Sequence, residues 1–376
     1  MIEPNVGQPV SRRRLPLVIA LAIGLVLLPL GVVLVPLVPE LGIPLLLVAT
    51  RLLGRRFAWA RRFNAWIDSK WRALRARLAG DPATDRPALW RWIVGAVVIL
   101  LVWQVLGAVA SIAGIVALGL SPEEILPAGG FGIDPIAPER AAAVLFVILI
   151  SFVPFLVGNL LAYRYILKRR IARLFTSTGS FSIRRTLTGF TVWFALGLAG
   201  TAAFELLNPG AVNWAFDPEG AAPYIAVALL LIPLQTTAEE LFFRGWLLQW
   251  ADNGRRRRSA VAIVNGFVFA LPHLANPEVG GEDVIRIVGY IAVGTGWAWV
   301  TLRDGTLELT IGAHAANNLS AALIAGYVGS AIPSISLFMM DRVPVAQELV
   351  LGVAGVVAFA WITGRRRPLR EVASAG

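Results

Sequence analysis

Cysteine is absent from the 376 residues, and histidine occurs only twice. The first absence excludes structural disulfides, thiolate metal sites and a cysteine nucleophile. Charged residues are also scarce, at 15%, whereas 57% of the residues are hydrophobic. A soluble domain of this length carries about a quarter charged residues, so this chain cannot cover a water-facing surface. The sequence therefore predicts a membrane protein in contact with the lipid bilayer, whose catalysis, if any, uses oxygen and imidazole groups.

No nucleotide-binding loop, internal repeat or soluble domain is visible in the sequence. The formal net charge is +11, but the arginines fall in short clusters between apolar runs. Such clusters indicate topology anchors, so we expect no nucleic-acid partner. The preference for Arg over Lys indicates a GC-rich bacterial genome. We therefore expect a multi-pass protein of the plasma membrane with both termini in the cytoplasm.

The apolar runs predict an all-α fold, a polytopic membrane helix bundle of about 8–10 transmembrane helices. Arginine-rich loops alternate with mostly acidic ones, which supports the span assignment. The run 43–53 is short enough to be re-entrant or interfacial instead of spanning. The runs lie near 15–37, 43–53, 90–118, 141–166, 187–206, 222–250, 258–278, 284–302, 306–329 and 346–364.

The chain divides into three predicted regions. An amino-terminal membrane region covers 1–186, a core with most intramembrane polar residues covers 187–330, and a span with a basic tail covers 331–376. Near 57–80, apolar residues recur every three or four positions with arginines opposite, which predicts an amphipathic helix in the membrane interface. We favour a membrane-surface brace over a partner-binding helix. The apolar residues are Trp59, Phe63, Trp66, Ile67, Trp71, Leu74 and Leu78.

Ionisable side chains inside apolar spans cost about 2.5–3.5 kcal/mol each on insertion scales, so those present need a reason. Most of them occur in three spans of the core, and both histidines are among them. The polar and ionisable residues of these spans are Glu239, Glu240, Arg244, His273, Glu308, His314, Asn317 and Asn318. Glu308 lies near the end of its span, where a solvated residue is expected.

Three of these residues lie at similar predicted depths. At about 1.5 Å of rise per residue, Glu239, His273 and Asn318 are each about 22–24 Å from the nearest arginine of the flanking loop. Side chains from three helices can therefore converge in one buried layer. His314 and Asn318 share a helix face, as do Asn265 and His273.

The spacing of Glu240 and Arg244 predicts an intrahelical ion pair. They are four positions apart with the acid first, the favourable orientation, and the pair would allow an arginine to remain in an apolar span. A mainly structural role for this pair is the favoured interpretation. The neighbouring Glu239 points about 100° away, at 3.6 residues per turn, and stays unpaired.

An unpaired carboxylate that faces an imidazole across a pocket can deprotonate a water molecule. A second imidazole and an amide could then stabilise the oxyanion formed on a peptide carbonyl. A metal site is the alternative, because Glu239, His273 and His314 would also suit a divalent metal such as zinc. The HExxH spacing is absent, and the sequence leaves the metal-dependent and metal-free versions open.

These residues resemble the motifs of a known family, the CAAX-protease and bacteriocin-processing (CPBP) intramembrane peptidases, which include the Rce1-type prenyl-protein endopeptidases. The resemblance covers about residues 222–330. It implies that Glu239 and His273 activate water, that His314 and Asn318 line the oxyanion site, and that the substrate is a membrane-associated peptide or protein. The matching residues are Glu239, Glu240 and Arg244 for EExxxR, Phe269 and His273 for FxxxH, and His314 and Asn318 for HxxxN.

A non-catalytic membrane factor is the alternative function. It would bind a partner or transport a solute as a degenerate member of the same family. Intact Glu239, His273, His314 and Asn318 favour the enzyme, and no inverted repeat supports transport. Two structural interpretations also remain: a direct hydrogen bond between Glu239 and His273, and Asn317 as a helix-contact amide.

Overall fold

A computed structural model describes most of the chain. The structure describes only the backbone of residues 33–37, 39–41 and 71–78. The last range includes Trp71, Leu74 and Leu78. Several residues used to predict the topology lie outside the described ranges: Arg12, Arg13, Arg14, Glu123, Asp134, Arg255, Arg256, Glu278, Glu282, Asp283, Arg365, Arg366 and Arg367. The described residues are 16–37, 39–78, 87–121, 124, 137–177, 180–252, 257–276, 279, 286–327, 330–340 and 345–364.

The chain forms two compact units, residues 1–87 and 88–376. The predicted boundaries at residues 186 and 330 stay predictions. The first unit contains helices α1 (Leu17–Leu37), α2 (Pro39–Leu53) and α3 (Ala58–Leu78). Two hydrogen bonds join α2 to α3: Asn64 Nδ2 donates to the Thr50 carbonyl at 2.8 Å, and Thr50 Oγ1 donates to Asn64 Oδ1 at 3.1 Å. The opposite face of α3 exposes Trp59, Phe63 and Trp66, as expected of an amphipathic helix.

The second unit is a helix bundle with a small sheet. Its first helices are α4 (Leu89–Leu118), α5 (Pro138–Ile150), α6 (Phe152–Leu161), a π-helical turn (Ala162–Ile166), α7 (Ala172–Phe175) and α8 (Ile183–Leu207). Then follow α9 (Ala221–Glu240), a second π-helical turn (Leu241–Leu247), α10 (Leu248–Ala251), α11 (Arg258–Ala270) and a 3₁₀ turn (Leu271–Ala275). The last helices are α12 (Ile287–Asp304), α13 (Glu308–Leu323) and α14 (Val345–Gly364).

Six helical segments of the described residues are long and apolar enough to cross a membrane, which confirms a polytopic helical membrane protein. The apolar helices Leu17–Val32 and Gly42–Leu53 are shorter. Helices α12 and α13, which coincide with two further expected spans, are not among the six. The count of six is lower than the predicted 8–10. Helix α13 is short and polar for a span, because its 16 residues include polar groups of the candidate site. The six segments are Leu89–Leu118, Pro138–Ile166, Ile183–Leu207, Ala221–Ala251, Arg258–Ala275 and Val345–Gly364.

Three short strands add a sheet that the all-α prediction did not include. They are β1 (Val212–Trp214), β2 (Ala325–Tyr327) and β3 (Phe338–Met340). β3 lies in the middle, antiparallel to β1 and parallel to β2. Segments of three residues are too short for the alternating pattern of a half-buried strand to stand out in a sequence.

Glycines bring the helices of the core unusually close together. A Cβ on Gly312 of α13 would lie 1.9 Å from the Thr186 carbonyl oxygen of α8, and one on Gly189 would lie 2.1 Å from the Leu309 carbonyl oxygen. Gly266 of α11 and Gly294 of α12 likewise allow close contact between those two helices. Small residues that allow such backbone contact are typical of membrane helix crossings. These contacts determine where the polar side chains of α11, α12 and α13 lie.

Glu308 is buried, so its interpretation as a solvated end residue is wrong. Its side chain accepts hydrogen bonds from the Ser182 amide and from Arg185 Nε, both at 2.7 Å. Arg185 also donates to Asp304 at 2.5 Å. Glu308 does lie in the first turn of α13, but sequence position does not reveal that α8 covers this helix end and supplies a counter-charge. The network attaches the beginning of α13 to α8.

Candidate active site

The predicted ion pair of Glu240 and Arg244 is present and fully buried. Arg244 Nη1 donates to Glu240 Oε1 at 2.9 Å, and Arg244 Nη2 approaches the Gly294 carbonyl oxygen at 3.4 Å. The guanidinium carbon lies 4.0 Å from the centre of the Phe269 ring, a cation–π contact that is stronger where water is excluded. Arg244 therefore connects α9, α11 and α12 through one side chain.

The backbone is irregular at this point. Directly after Glu240, helix α9 continues as the seven-residue π-helical turn Leu241–Leu247, which contains Arg244. π-Helical turns often occur at functional sites, because they change the direction of the side chains that follow. Asn265 supports the turn from α11 by donating its Nδ2 to the Phe243 carbonyl at 2.8 Å. Asn265 is thus a contact between helices, and no hydrogen bond between Asn265 and His273 occurs among the described residues.

His314 lies between the two glutamates. Its Nδ1 is 2.9 Å from Glu240 Oε1, and its Nε2 is 3.5 Å from Glu239 Oε2. Its ring centre lies 4.9 Å from that of Trp297. The sequence predicted that these helices meet at one depth, but not that His314 contacts both members of the Glu239–Glu240 pair.

The hydrogen-bond partners of His314 indicate where its ring protons lie. Glu240 Oε1 already accepts from Arg244 and can only accept again, so His314 Nδ1 must carry the proton between them. His314 Nε2 then faces an oxygen of Glu239, and two lone pairs would repel each other there. A proton on Nε2 or on the Glu239 carboxyl removes that conflict. In either case Glu239, Glu240, Arg244 and His314 together carry no net charge, which is the least costly state in a low-dielectric interior.

Three buried polar atoms of this cluster lack a hydrogen-bond partner among the described residues: Glu239 Oε2, Glu240 Oε2 and Arg244 Nε. Glu240 and Arg244 are fully buried, so Glu239 is the most accessible of the three residues. Its residue is 9% exposed, and its Oε2 has no hydrogen-bond partner among the described residues. A buried carboxylate oxygen without a donor is costly, and this position needs either a water molecule or a substrate group. Glu239 therefore has the free acceptor that a general base requires.

His273 lies in the 3₁₀ turn after α11 and is half-buried. Its Nδ1 is 2.9 Å from the Phe269 carbonyl oxygen, which can only accept, so Nδ1 is the donor and Nε2 is left as an acceptor. Its ring centre is 4.2 Å from that of Tyr290. No direct hydrogen bond or ion pair between His273 and Glu239 occurs among the described residues. The interpretation of these two as a directly bonded structural pair is therefore wrong.

Asn318 faces a residue that lies outside the three sequence motifs. Its Nδ2 donates to Gln235 Oε1 at 3.1 Å, and Gln235 is buried one turn before Glu239 on α9. Two pairs therefore face each other across α9 and α13, Gln235 with Asn318 and Glu239 with His314. An amide inside an apolar span, four positions from a site glutamate, was the signal that could have identified Gln235.

The three residues of the alternative metal site do not form a metal-binding group in this structure. Among the described residues, no cluster of three or more His, Cys, Asp or Glu side chains is placed to hold a metal ion. Both nitrogens of His314 already face carboxylates. The donor set of Glu239, His273 and His314 thus does not fit a zinc site here.

Comparison with known proteins identifies the part of the chain that carries these residues. Residues 220–320 match the family model described as type II CAAX prenyl endopeptidase Rce1-like. This segment is Rce1-like. It contains both glutamates, both histidines and Asn318, and the match confirms the resemblance inferred from the three motifs.

The resemblance extends beyond the Rce1-like segment in one curated relative. The "Uncharacterized protein YyaK" of Bacillus subtilis (strain 168) is 29% identical over 283 residues, which cover 75% of this chain and 93% of that protein. No solved structure matches the chain.

Proposed function

We propose that this protein is an intramembrane endopeptidase of the CAAX type that hydrolyses peptide bonds of membrane-associated substrates with water activated by Glu239 and His273. The observation that carries the proposal is the unsatisfied Glu239 oxygen beside an imidazole whose other nitrogen is bound to Glu240. The Rce1-like match over residues 220–320 supports the same reaction class.

The first step is the activation of water. Glu239 Oε2 accepts a proton from the water molecule, and His273 Nε2, left free by the bond from Nδ1 to Phe269, accepts its second hydrogen bond. The water oxygen then attacks the peptide carbonyl carbon as the carbonyl π bond opens onto oxygen. General-base assistance of this kind contributes about 10²–10⁴ in rate.

The second step is the stabilisation and collapse of the oxyanion. The His314 Nε2–H and an Asn318 Nδ2–H are donors that can face the negative oxygen. In this step His314 acts as an imidazolium, whose Nδ1–H is directed at Glu240 Oε1, 2.9 Å away. When the carbon–nitrogen bond breaks, the proton held by Glu239 goes to the leaving amine. The site returns to its starting protonation, and a carboxyl and an amine terminus are released.

A comparison of membrane peptides in living cells tests the proposal and does not require an identified substrate. Cells carry wild type, Glu239→Gln or the control Glu219→Gln, which makes the same change in an exposed carboxylate. We expect new peptide termini in wild type and control, and intact precursors with Glu239→Gln at equal protein abundance. Identical peptides in all three strains would overturn the peptidase assignment. A phenotype that survives Glu239→Gln unchanged would instead indicate the non-catalytic membrane factor.

A further inference from the structure

A chain of side-chain hydrogen bonds crosses three helices beside the candidate site. Trp193 Nε1 of α8 donates to Asn317 Oδ1 of α13 at 3.2 Å. Asn317 Nδ2 donates to Asn318 Oδ1 at 3.1 Å, and Asn318 Nδ2 donates to Gln235 Oε1 of α9 at 3.1 Å. Asn317 and Asn318 thus each accept from one neighbour and donate to the next.

The Trp193 indole determines the direction in which every hydrogen bond of this series is donated. A Trp Nε1–H can only donate, whereas an amide offers an acceptor at one end and two donors at the other. Asn317 must therefore turn its oxygen to Trp193, which directs its NH₂ group to Asn318. Asn318 must in turn present its oxygen to Asn317 and its NH₂ group to the α9 side. The orientation of the Asn318 amide follows from chemistry at Trp193, on a different helix.

The indole itself is held rigidly. Trp193 is 8% exposed, and its ring packs edge-to-face on Trp297 and Phe359, with centres 5.2 and 5.4 Å apart. The two amides in the middle of this hydrogen-bond series are more accessible, since Asn318 is half-buried and Asn317 exposed. Gln235 uses one of the two Nδ2 hydrogens of Asn318, so the second hydrogen remains for a ligand.

We propose that Trp193 and Gln235 are positioning residues, which orient the Asn318 amide so that its second Nδ2–H points at the carbonyl oxygen of the scissile peptide bond. This inference rests on the proposed peptidase function. In the opposite orientation, Asn318 would present its oxygen to the developing oxyanion, and the two negative atoms would repel each other. The chain excludes that orientation before the substrate arrives, which is the preorganisation that oxyanion stabilisation requires.

Two variants interrupt the chain at opposite ends, and one matched control does not touch it. Trp193→Phe keeps an aromatic ring but removes the donor, and Gln235→Met keeps the length of the side chain but removes the acceptor. Trp246→Phe is the control, because it removes another buried indole donor, which bonds the Trp92 carbonyl at 3.1 Å and is not part of this hydrogen-bond series. Purified full-length proteins are assayed with a peptide that spans a cleavage site identified in the cell comparison.

We expect kcat to fall at least about tenfold in Trp193→Phe and in Gln235→Met. The fall should not exceed the 10²–10³ loss associated with complete removal of one oxyanion donor. KM should change less than about twofold, because the lost interaction forms only in the transition state. In an Asn318→Ala background, Trp193→Phe should have no further effect on kcat. A general packing defect would instead persist in that background.

The outcomes separate the inference from the function on which it rests. Wild-type protein that cleaves no peptide overturns the peptidase assignment and this role with it. An active wild type in which both variants equal Trp246→Phe overturns the positioning role alone. So does a kcat loss that is unchanged in the Asn318→Ala background. If either Trp193→Phe or Gln235→Met does not fold, the other variant supplies the same comparison.

Discussion

His314 Nδ1 lies 2.9 Å from Glu240 Oε1, the same oxygen that accepts the hydrogen bond of Arg244. Glu240 therefore belongs both to the ion pair with Arg244 and to the contacts of the candidate catalytic imidazole. The mainly structural role that the spacing favoured for the pair stays a prediction, to which the structure adds this contact with His314. Stability and activity should consequently respond differently to substitutions at Glu240 and Arg244.

Removal of Arg244 should lower the stability of the protein. Arg244→Ala leaves Glu240 as a buried carboxylate without its cation, and loss of one partner of a buried pair costs about 3–5 kcal/mol. Replacement of both by apolar residues, in Glu240→Leu with Arg244→Leu, should recover abundance in the membrane better than Arg244→Ala or Glu240→Leu alone. Peptidase activity should not recover, because His314 Nδ1 has lost its acceptor. Equal loss of abundance in all three variants would contradict the pairing.

The water-activating residues should act as a unit. Glu239→Gln preserves the shape of the side chain but removes the base, so turnover should fall by about 10²–10⁴. His273→Ala should reduce turnover similarly, and the double variant should be little worse than the more damaging single change. Asn318→Ala should cost about 10²–10³, as expected for one oxyanion donor among several. Full activity of Glu239→Gln against an identified peptide would exclude this residue as the base.

The close contact between α8 and α13 should be needed for the position of His314. Gly312→Ala places a methyl group where only 1.9 Å separates the Cβ position from the Thr186 carbonyl oxygen, so the helices must move apart. Overpacking typically costs about 1–3 kcal/mol, and His314 is two residues away on the same helix. We expect a lower unfolding temperature and lower peptidase activity.

Gly200→Ala is the matched control for this prediction. Gly200 lies in α8, the helix that Gly312 of α13 contacts, but a Cβ on Gly200 would meet no atom within 4 Å. Since Ala favours a helix over Gly by about 1 kcal/mol, this variant should be as stable as wild type or slightly more stable. Similar destabilisation of both variants would show that the contact between α8 and α13 is not the cause.

The end of α4 should depend on the ionised form of Glu124. Arg140 Nε donates to Glu124 Oε1 at 2.8 Å, and the Ser121 amide donates to Glu124 Oε2 at 2.7 Å. The hydrogen bond from Arg140, and then that from Ser121, lower the pKa of this carboxyl from 4.5 to about 2. Because the folded pKa is depressed, the stabilisation is complete above about pH 4.5 and is lost as the pH falls towards 2.

Amide hydrogen exchange measures this dependence. Wild type should protect the Ser121 amide more than Glu124→Gln does, by a constant factor between pH 5 and 7, and the difference should shrink as the pH falls below about 4.5. A difference that grows on acidification would show that the carboxylate is not the stabilising form.

The arginine-rich loop before α11 should face the cytoplasm. The protein has no cysteine, so a single Cys at the exposed Ser259 reports accessibility without background. We expect an impermeant thiol reagent to label Ser259→Cys only after the cells are permeabilised. Glu219→Cys, in the acidic loop between α8 and α9, should be labelled in intact cells. The reverse result would invert the predicted orientation of the core.

Much of the fold could be predicted because it depends on local pattern. Apolar length predicted the spanning helices, and helical periodicity predicted the exposed aromatic face of α3 and the ion pair between Glu240 and Arg244. Each of these features depends on residues at most a few turns apart on one helix. The π-helical turn Leu241–Leu247 and the strands of three residues were not predicted, because backbone of this kind leaves little trace in hydrophobic periodicity.

The sequence by itself also determined which side chains carry the candidate chemistry, since few ionisable groups occur in the apolar spans and both histidines are among them. Only the tertiary structure decided their partners. His314 contacts Glu240 as well as Glu239, Gln235 binds Asn318, and Glu308 is covered by Arg185. Such pairings depend on how each helix is rotated and how closely it packs. Contacts such as that of Gly312 with Thr186 determine both, between segments more than a hundred residues apart.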